Sequence, residues 1–114
     1  MVECGGFVMK LWIDDVRPAP EGYVWAKSVL IAIWHIMNYE ASYKATGNKK
    51  YKVELVDIDY DAGEYAQYGG DYICLLDWLE ETGRNYPIRI HSANPVGQEN
   101  MRRIIQRNNW EEIK

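Results

Sequence analysis

The feature that most constrains this chain is an alternation. Short apolar runs of strand length are separated by segments whose apolar residues recur at helical spacing. Residues 7–13 read as a buried strand, residues 23–27 as a second short one, residues 52–59 as a β-branched third, and residues 87–92 as a fourth. Ser28 is placed to cap a helix running to about Tyr43, with apolar positions 29, 30, 33, 36 and 37. Asp71 is placed to cap a second helix to about Thr82, whose stripe is Leu75, Leu76 and Leu79 and whose stop is Gly83. Asn94-Pro95 opens a third, ending near Arg107, with Met101, Ile104 and Ile105 inward. Strands alternating with helices predict an α/β fold with a mostly parallel, four-stranded sheet flanked by helices. Pro18, Pro20 and Gly22 make residues 16–22 a loop, too short for a helical crossover between the first two strands. Residues 60–70, rich in Gly, Tyr and Asp, form a longer loop of the kind that is functional or mobile.

Composition narrows the function classes. A chain of 114 residues is expected to be one domain, and 47% apolar with 26% charged residues is ordinary globular usage. The longest apolar run, residues 28–37, is too short to span a membrane and contains His35. The opening Met1-Val-Glu-Cys-Gly-Gly has no basic start followed by an apolar stretch, so no leader is expected. Cys4 and Cys74 fit a reduced, cytoplasmic protein better than a disulfide scaffold, and no Cys-x-x-Cys pair offers zinc ligands. A net charge of −4 disfavours non-specific binding to long nucleic acid, which requires a basic surface. A small phosphorylated ligand held beside a metal is compatible with it.

Three of the strands end in chemistry: Asp14-Asp15, then Asp57 and Asp59, then His91-Ser92. In open α/β sheets ligands bind outside the carboxyl ends of the strands, so parallel strands bring these groups to one edge. An acidic pair after a strand is often only a helix cap, but Val16-Arg17-Pro18 does not start a helix readily. Carboxylates at the end of a buried strand demand a counter-charge. A divalent cation meets that demand, and magnesium suits hard oxygen ligands with waters left for a phosphate. Mutual repulsion of these acids is expected to cost stability until the cation binds. His91, followed by Ser92 and by Asn94 at a helix start, stands at a potential anion site, and imidazole suits proton transfer near neutrality. A structural histidine is the competing reading. His35, the five tryptophans and Cys74 read as packing residues. The tyrosines Tyr60, Tyr65, Tyr68 and Tyr72 either rim a pocket for a base or simply cover their loop.

Leu11-Trp-Ile-Asp-Asp-Val-Arg-Pro-Ala-Pro-Glu-Gly22, Asp59-Tyr-Asp-Ala-Gly63 and His91-Ser-Ala-Asn-Pro-Val-Gly97, with Glu99-Asn-Met101 following, resemble the cyclic-phosphate-processing receiver-like family over residues 9–110. The resemblance implies a truncated receiver-like (flavodoxin-like) three-layer domain over residues 9–114, with residues 1–8 an N-terminal extension. It implies that Asp14 and Asp15 are the metal-binding pair and that Asp59 is the counterpart of the phospho-accepting aspartate. Asp57 and Asp61 are the fallbacks for the metal, and Ser92 is the phosphate-contacting hydroxyl. The family often has histidine where this chain has Tyr60. The chain is expected to end before a fifth strand and so to lack the receiver lysine, with Arg17 as the cationic substitute and Arg102 or Arg103 weaker ones.

The expected activity is magnesium-dependent processing of a cyclic-phosphate end of RNA or of a nucleotide. Asp14, Asp15 and Asp59 would hold the metal. Arg17, Ser92 and Asn94 would bind phosphate, with Asp59 and His91 catalytic and His91 protonating the leaving oxygen. Attack by water and attack by Asp59 both fit. The alternatives are a binding module that captures such a ligand without turnover, and a degenerate receiver used only for protein interaction. The expected partner is a small nucleotide or RNA end, with no membrane involved.

Overall fold

The computed structural model describes residues 8–114; apart from Val8, the expected extension lies outside the described residues, as does Cys4. The strands are β1 (Met9–Ile13), β2 (Tyr23–Ala26), β3 (Val53–Ile58), β4 (Ile88–Ile90) and β5 (Glu112–Ile113), joined in one sheet of order β2-β1-β3-β4-β5. Every pairing is parallel. The helices are α1 (Val29–Thr46), α2 (Ile73–Glu81) and α3 (Pro95–Arg107). The expected α/β class therefore holds, with five strands instead of four. The fifth escapes a sequence reading because it is two residues long and begins on Glu112, with no β-branched run to announce it.

One core joins Val29, Ala32 and Ile36 of α1, Leu75, Leu76 and Leu79 of α2, and Met101, Ile104 and Ile105 of α3 to Met9, Leu11, Ile13, Val56, Ile58 and Ile88 of the sheet. The three helices thus share one face of the sheet. On the other face, where a third layer was expected, the alternating positions Lys10, Leu55 and Ile113 are only partly buried and Arg89 is exposed. The connection from β1 to the parallel β2 is the loop of residues 14–22, which supplies no helix to cover that face. Among the described residues no helix is long and apolar enough to cross a membrane.

The helix caps set where the strand ends lie. Ser28 Oγ accepts from Ile31 N at 3.1 Å, as expected, and Gly47, at φ 67°, closes α1. Asn94 Oδ1 accepts from Gly97 N at 3.0 Å with Pro95 in the first turn of α3. Asp71 does not cap α2. Its carbonyl accepts from Cys74 N, while its carboxylate lies 3.5 Å from Ala62 N, on the chain entering a 3₁₀ turn at Gly63–Gln67. His35 and Cys74 are partly buried packing residues, and burial pushes the His35 imidazole pKa down and the Cys74 thiol up.

Candidate metal and phosphate site

The acidic loop after β1 is held by one carboxylate and two indoles. Asp14, wholly buried, accepts from Val16 N and Arg17 N through Oδ1, each at 2.9 Å, folding the loop back on itself. Trp25 Nε1 donates to the Asp14 carbonyl at 2.8 Å, and Trp12 Nε1 donates to the Arg17 carbonyl at the same distance. Trp12 and Trp25 are register partners on neighbouring strands. Their position one strand apart beside an acidic pair is the signal that a reading of them as fillers overlooks.

β3 delivers Asp59 to the same place. Its N–H donates to the Ile13 carbonyl at 2.9 Å, and its Oδ1 accepts from Tyr60 N at 2.7 Å. Asp14, Asp15 and Asp59 bring one carboxylate oxygen each to within 4.8 Å of one another. Asp15 is pushed above the usual carboxylate range, first by burial and then by the charges of Asp14 and Asp59. Burial also pushes Asp14 upward, but the N–H groups of Arg17 and Val16 and the His91 ring outweigh it and hold Asp14 low. Gly63 is the only residue type that fits beside this cluster: at φ 56°, a Cβ there would stand 2.5 Å from Asp15 Oδ2. Three converging carboxylates, one of them pushed up by burial and by the charges of the other two, fit a hard divalent cation. Of the fallbacks, Asp61 is exposed and outside this cluster, and Asp57 faces elsewhere.

Asp57 belongs to His91. The imidazole Nδ1 lies 2.6 Å from Asp57 Oδ1 and Nε2 lies 3.0 Å from Asp14 Oδ2. The ring stacks on Trp12 with centroids 3.8 Å apart and planes 4° from parallel, leaving the His91 side chain 9% exposed. One imidazole thus bridges a buried carboxylate of β3 and the buried acid that follows β1. Arg89 Nη1, 3.4 Å from Asp57 Oδ2, brings a guanidinium to the same carboxylate. The expected ligand-facing His91 is therefore a clamp between the buried acids of β1 and β3, with neither nitrogen open to a leaving group.

The phosphate candidates come together around the start of α3. Ser92, 8% exposed, accepts from Asn94 N at 3.1 Å, leaving its O–H to donate. Gln98 Nε2 donates to the Ser92 carbonyl and fixes the turn from the far side. Tyr60 packs on Gly97 so closely that a Cβ there would sit 2.3 Å from the ring. Arg17, its side chain half exposed, donates from Nη1 to the His91 carbonyl at 3.0 Å and keeps Nε 3.7 Å from Asp14 Oδ2. The weaker cationic candidates are engaged elsewhere, Arg102 with Glu112 at 2.9 Å and Arg103 with Asn100 at 3.4 Å. Lys114, directly after β5, is exposed and lies 3.3 Å from Glu112.

A family model described as the cyclic-phosphate processing receiver domain matches residues 9–107. No curated protein and no solved structure matches the chain. The family match runs from the first residue of β1 to the last of α3 and so takes in every element that carries the acidic edge. On that evidence the chain belongs to the cyclic-phosphate-processing receiver domain family.

Proposed function

We propose that this domain binds the cyclic phosphate of a nucleotide or an RNA end beside a magnesium ion held by Asp14, Asp15 and Asp59, and opens the ring. The observation that carries this reading is the convergence of three carboxylates within 4.8 Å on the edge where α3 presents its first turn. When bound, a divalent cation polarises phosphoryl oxygens and offsets their charge. The chain supplies the remainder. Arg17 and the Ser92 hydroxyl meet the non-bridging oxygens, and the N–H groups of the α3 turn favour an anion. Ring opening adds water across one P–O bond and yields a phosphomonoester and a free hydroxyl. Asp59 serves as metal ligand and is placed to activate or to replace the attacking water. His91 acts as a positioning residue that sets Asp14 and Asp57.

A second reading, capture without turnover, is favoured by one observation: both nitrogens of His91 are engaged by buried carboxylates. Phosphorus NMR of an oligonucleotide ending in a 2′,3′-cyclic phosphate separates the two. Processing predicts magnesium-dependent conversion of the cyclic signal to a monoester, lost in Asp59→Asn. Capture predicts a shifted but persistent cyclic signal. A signal that neither shifts nor converts at millimolar magnesium rejects both.

A further inference from the structure

Beside the acidic edge lies a cavity of about 610 Å³ that the phosphate chemistry does not use. Its walls are Trp25, Tyr65 and Tyr68, the aliphatic Leu30 and Ile31, and Lys27. The volume lies in the usual range for small-molecule sites. We infer that this cavity holds the nucleobase of the ligand, a flat heteroaromatic ring stacked among Trp25, Tyr65 and Tyr68; the inference rests on the cyclic-phosphate reading and deepens it.

Three observations carry it. The first is continuity with the phosphate edge. Trp25 is a wall of the cavity and also the donor to the Asp14 carbonyl. Tyr65 stands on the 3₁₀ turn that begins at Gly63, the glycine lying against Asp15. One ligand with an anionic group and a flat ring joined by a sugar would reach both. The second is the chemistry of the walls. Aromatic faces and aliphatic side chains under a cation suit any base, because stacking needs only a π-face. Lys27 Nζ lies over the Trp25 ring, 4.6 Å from its centroid.

The third is that the cavity is preformed. Leu30 N donates to the Tyr68 carbonyl at 3.1 Å. The next residue, Gly69 at φ 108°, packs so tightly that a Cβ would stand 2.9 Å from Val29 Cβ. Tyr72 Oη donates to the Lys27 carbonyl at 2.7 Å beneath it. Yet Leu30, Ile31 and Tyr68 are 55%, 46% and 48% exposed, large apolar surfaces placed rigidly and left uncovered.

Titration calorimetry with magnesium present, using 2′,3′-cyclic AMP, glycerol 1,2-cyclic phosphate and adenosine, tests this. The cyclic nucleotide is expected to bind about tenfold or more tighter than the base-free cyclic phosphate, the usual scale of one stacked base. Tyr68→Ala and Ile31→Ala, both at half-exposed positions that tolerate truncation, are expected to erase most of that preference. Equal affinities for the two cyclic phosphates, or a preference untouched by both variants, would overturn the base site and leave the cyclic-phosphate reading standing. Adenosine binding as tightly as its cyclic phosphate would keep the base site and remove the cyclic-phosphate reading. Failure of all three to bind overturns both.

Discussion

Asp14 and Asp15 are adjacent and acidic, but their energetic roles are opposite. Asp14 accepts from two backbone N–H groups and from His91, and its carboxyl is held low. Asp15 has its carboxyl pushed up by burial and by its two acidic neighbours. Asp15→Asn is therefore expected to raise metal-free stability, by about 1 kcal/mol, while removing the response to magnesium. Asp14→Ala is expected to lower stability by about 3 kcal/mol, because it strands a buried ring nitrogen and two N–H groups. Urea denaturation of the two variants without metal checks both signs. The mutual repulsion of the cluster is thus felt at Asp15 and is outweighed at Asp14 by its hydrogen bonds. From sequence the pair could be recognised as an acidic site, but the split between its members could not be seen, since it depends on His91 arriving from β4. The same distance hides the division of labour between Asp57, on β3, and Asp59, just past its end, one given to a histidine and the other to the cluster.

At the scale of elements, α1 and α3 carry similar caps with different duties. Ser28→Ala and Asn94→Ala should each cost about 1 kcal/mol of stability. Only Asn94→Ala should also weaken binding of a base-free cyclic phosphate, because it loosens the turn that carries Ser92; Ser28 lies at the cavity instead. Thermal melts paired with calorimetry distinguish the two outcomes. A second test concerns the tie between α1 and the chain entering β4. Burial pushes the Glu40 carboxyl up, but the Arg84 and Tyr86 side chains more than offset this and hold it below its usual value. A lowered carboxyl adds stability that is present above the unfolded value, near pH 4.5, and is lost as pH falls through the folded one. Glu80, drawn down to about 2 by Arg107 and Asn108, acts in the same direction. Glu40→Gln should therefore lower the unfolding free energy measured in urea at neutral pH, by about 1 kcal/mol at most, and lessen its fall below about pH 4. The caps at Ser28 and Asn94, the stop at Gly83 and four strands were legible because each is written in a few adjacent residues. The displaced role of Asp71 and β5 were not, since the first depends on how the loop returns to Ala62 and the second on pairing with β4.

For the whole molecule, occupancy of the acidic edge should register as global stability. A ligand that binds only the folded state at a hundredfold its dissociation constant adds about 2.7 kcal/mol. A scanning-calorimetry transition is thus expected to rise by roughly 10 °C with saturating magnesium, and Asp15→Asn should melt at one temperature throughout the titration. A flat response in the unaltered protein would dismiss the cation site. The topology that builds this edge also sets an order in time. β1 occupies the interior of a sheet whose pairings are all parallel, and Asp14 meets His91 across 77 positions of chain. At about 5–20 residues per second of synthesis, the acidic pair emerges from the ribosome about 4–15 s before the imidazole that will hold it. Throughout that interval Asp14 has no ring to bond and Trp12 no ring to stack on. The acidic edge is thus among the first parts of the domain to be made and among the last to be locked.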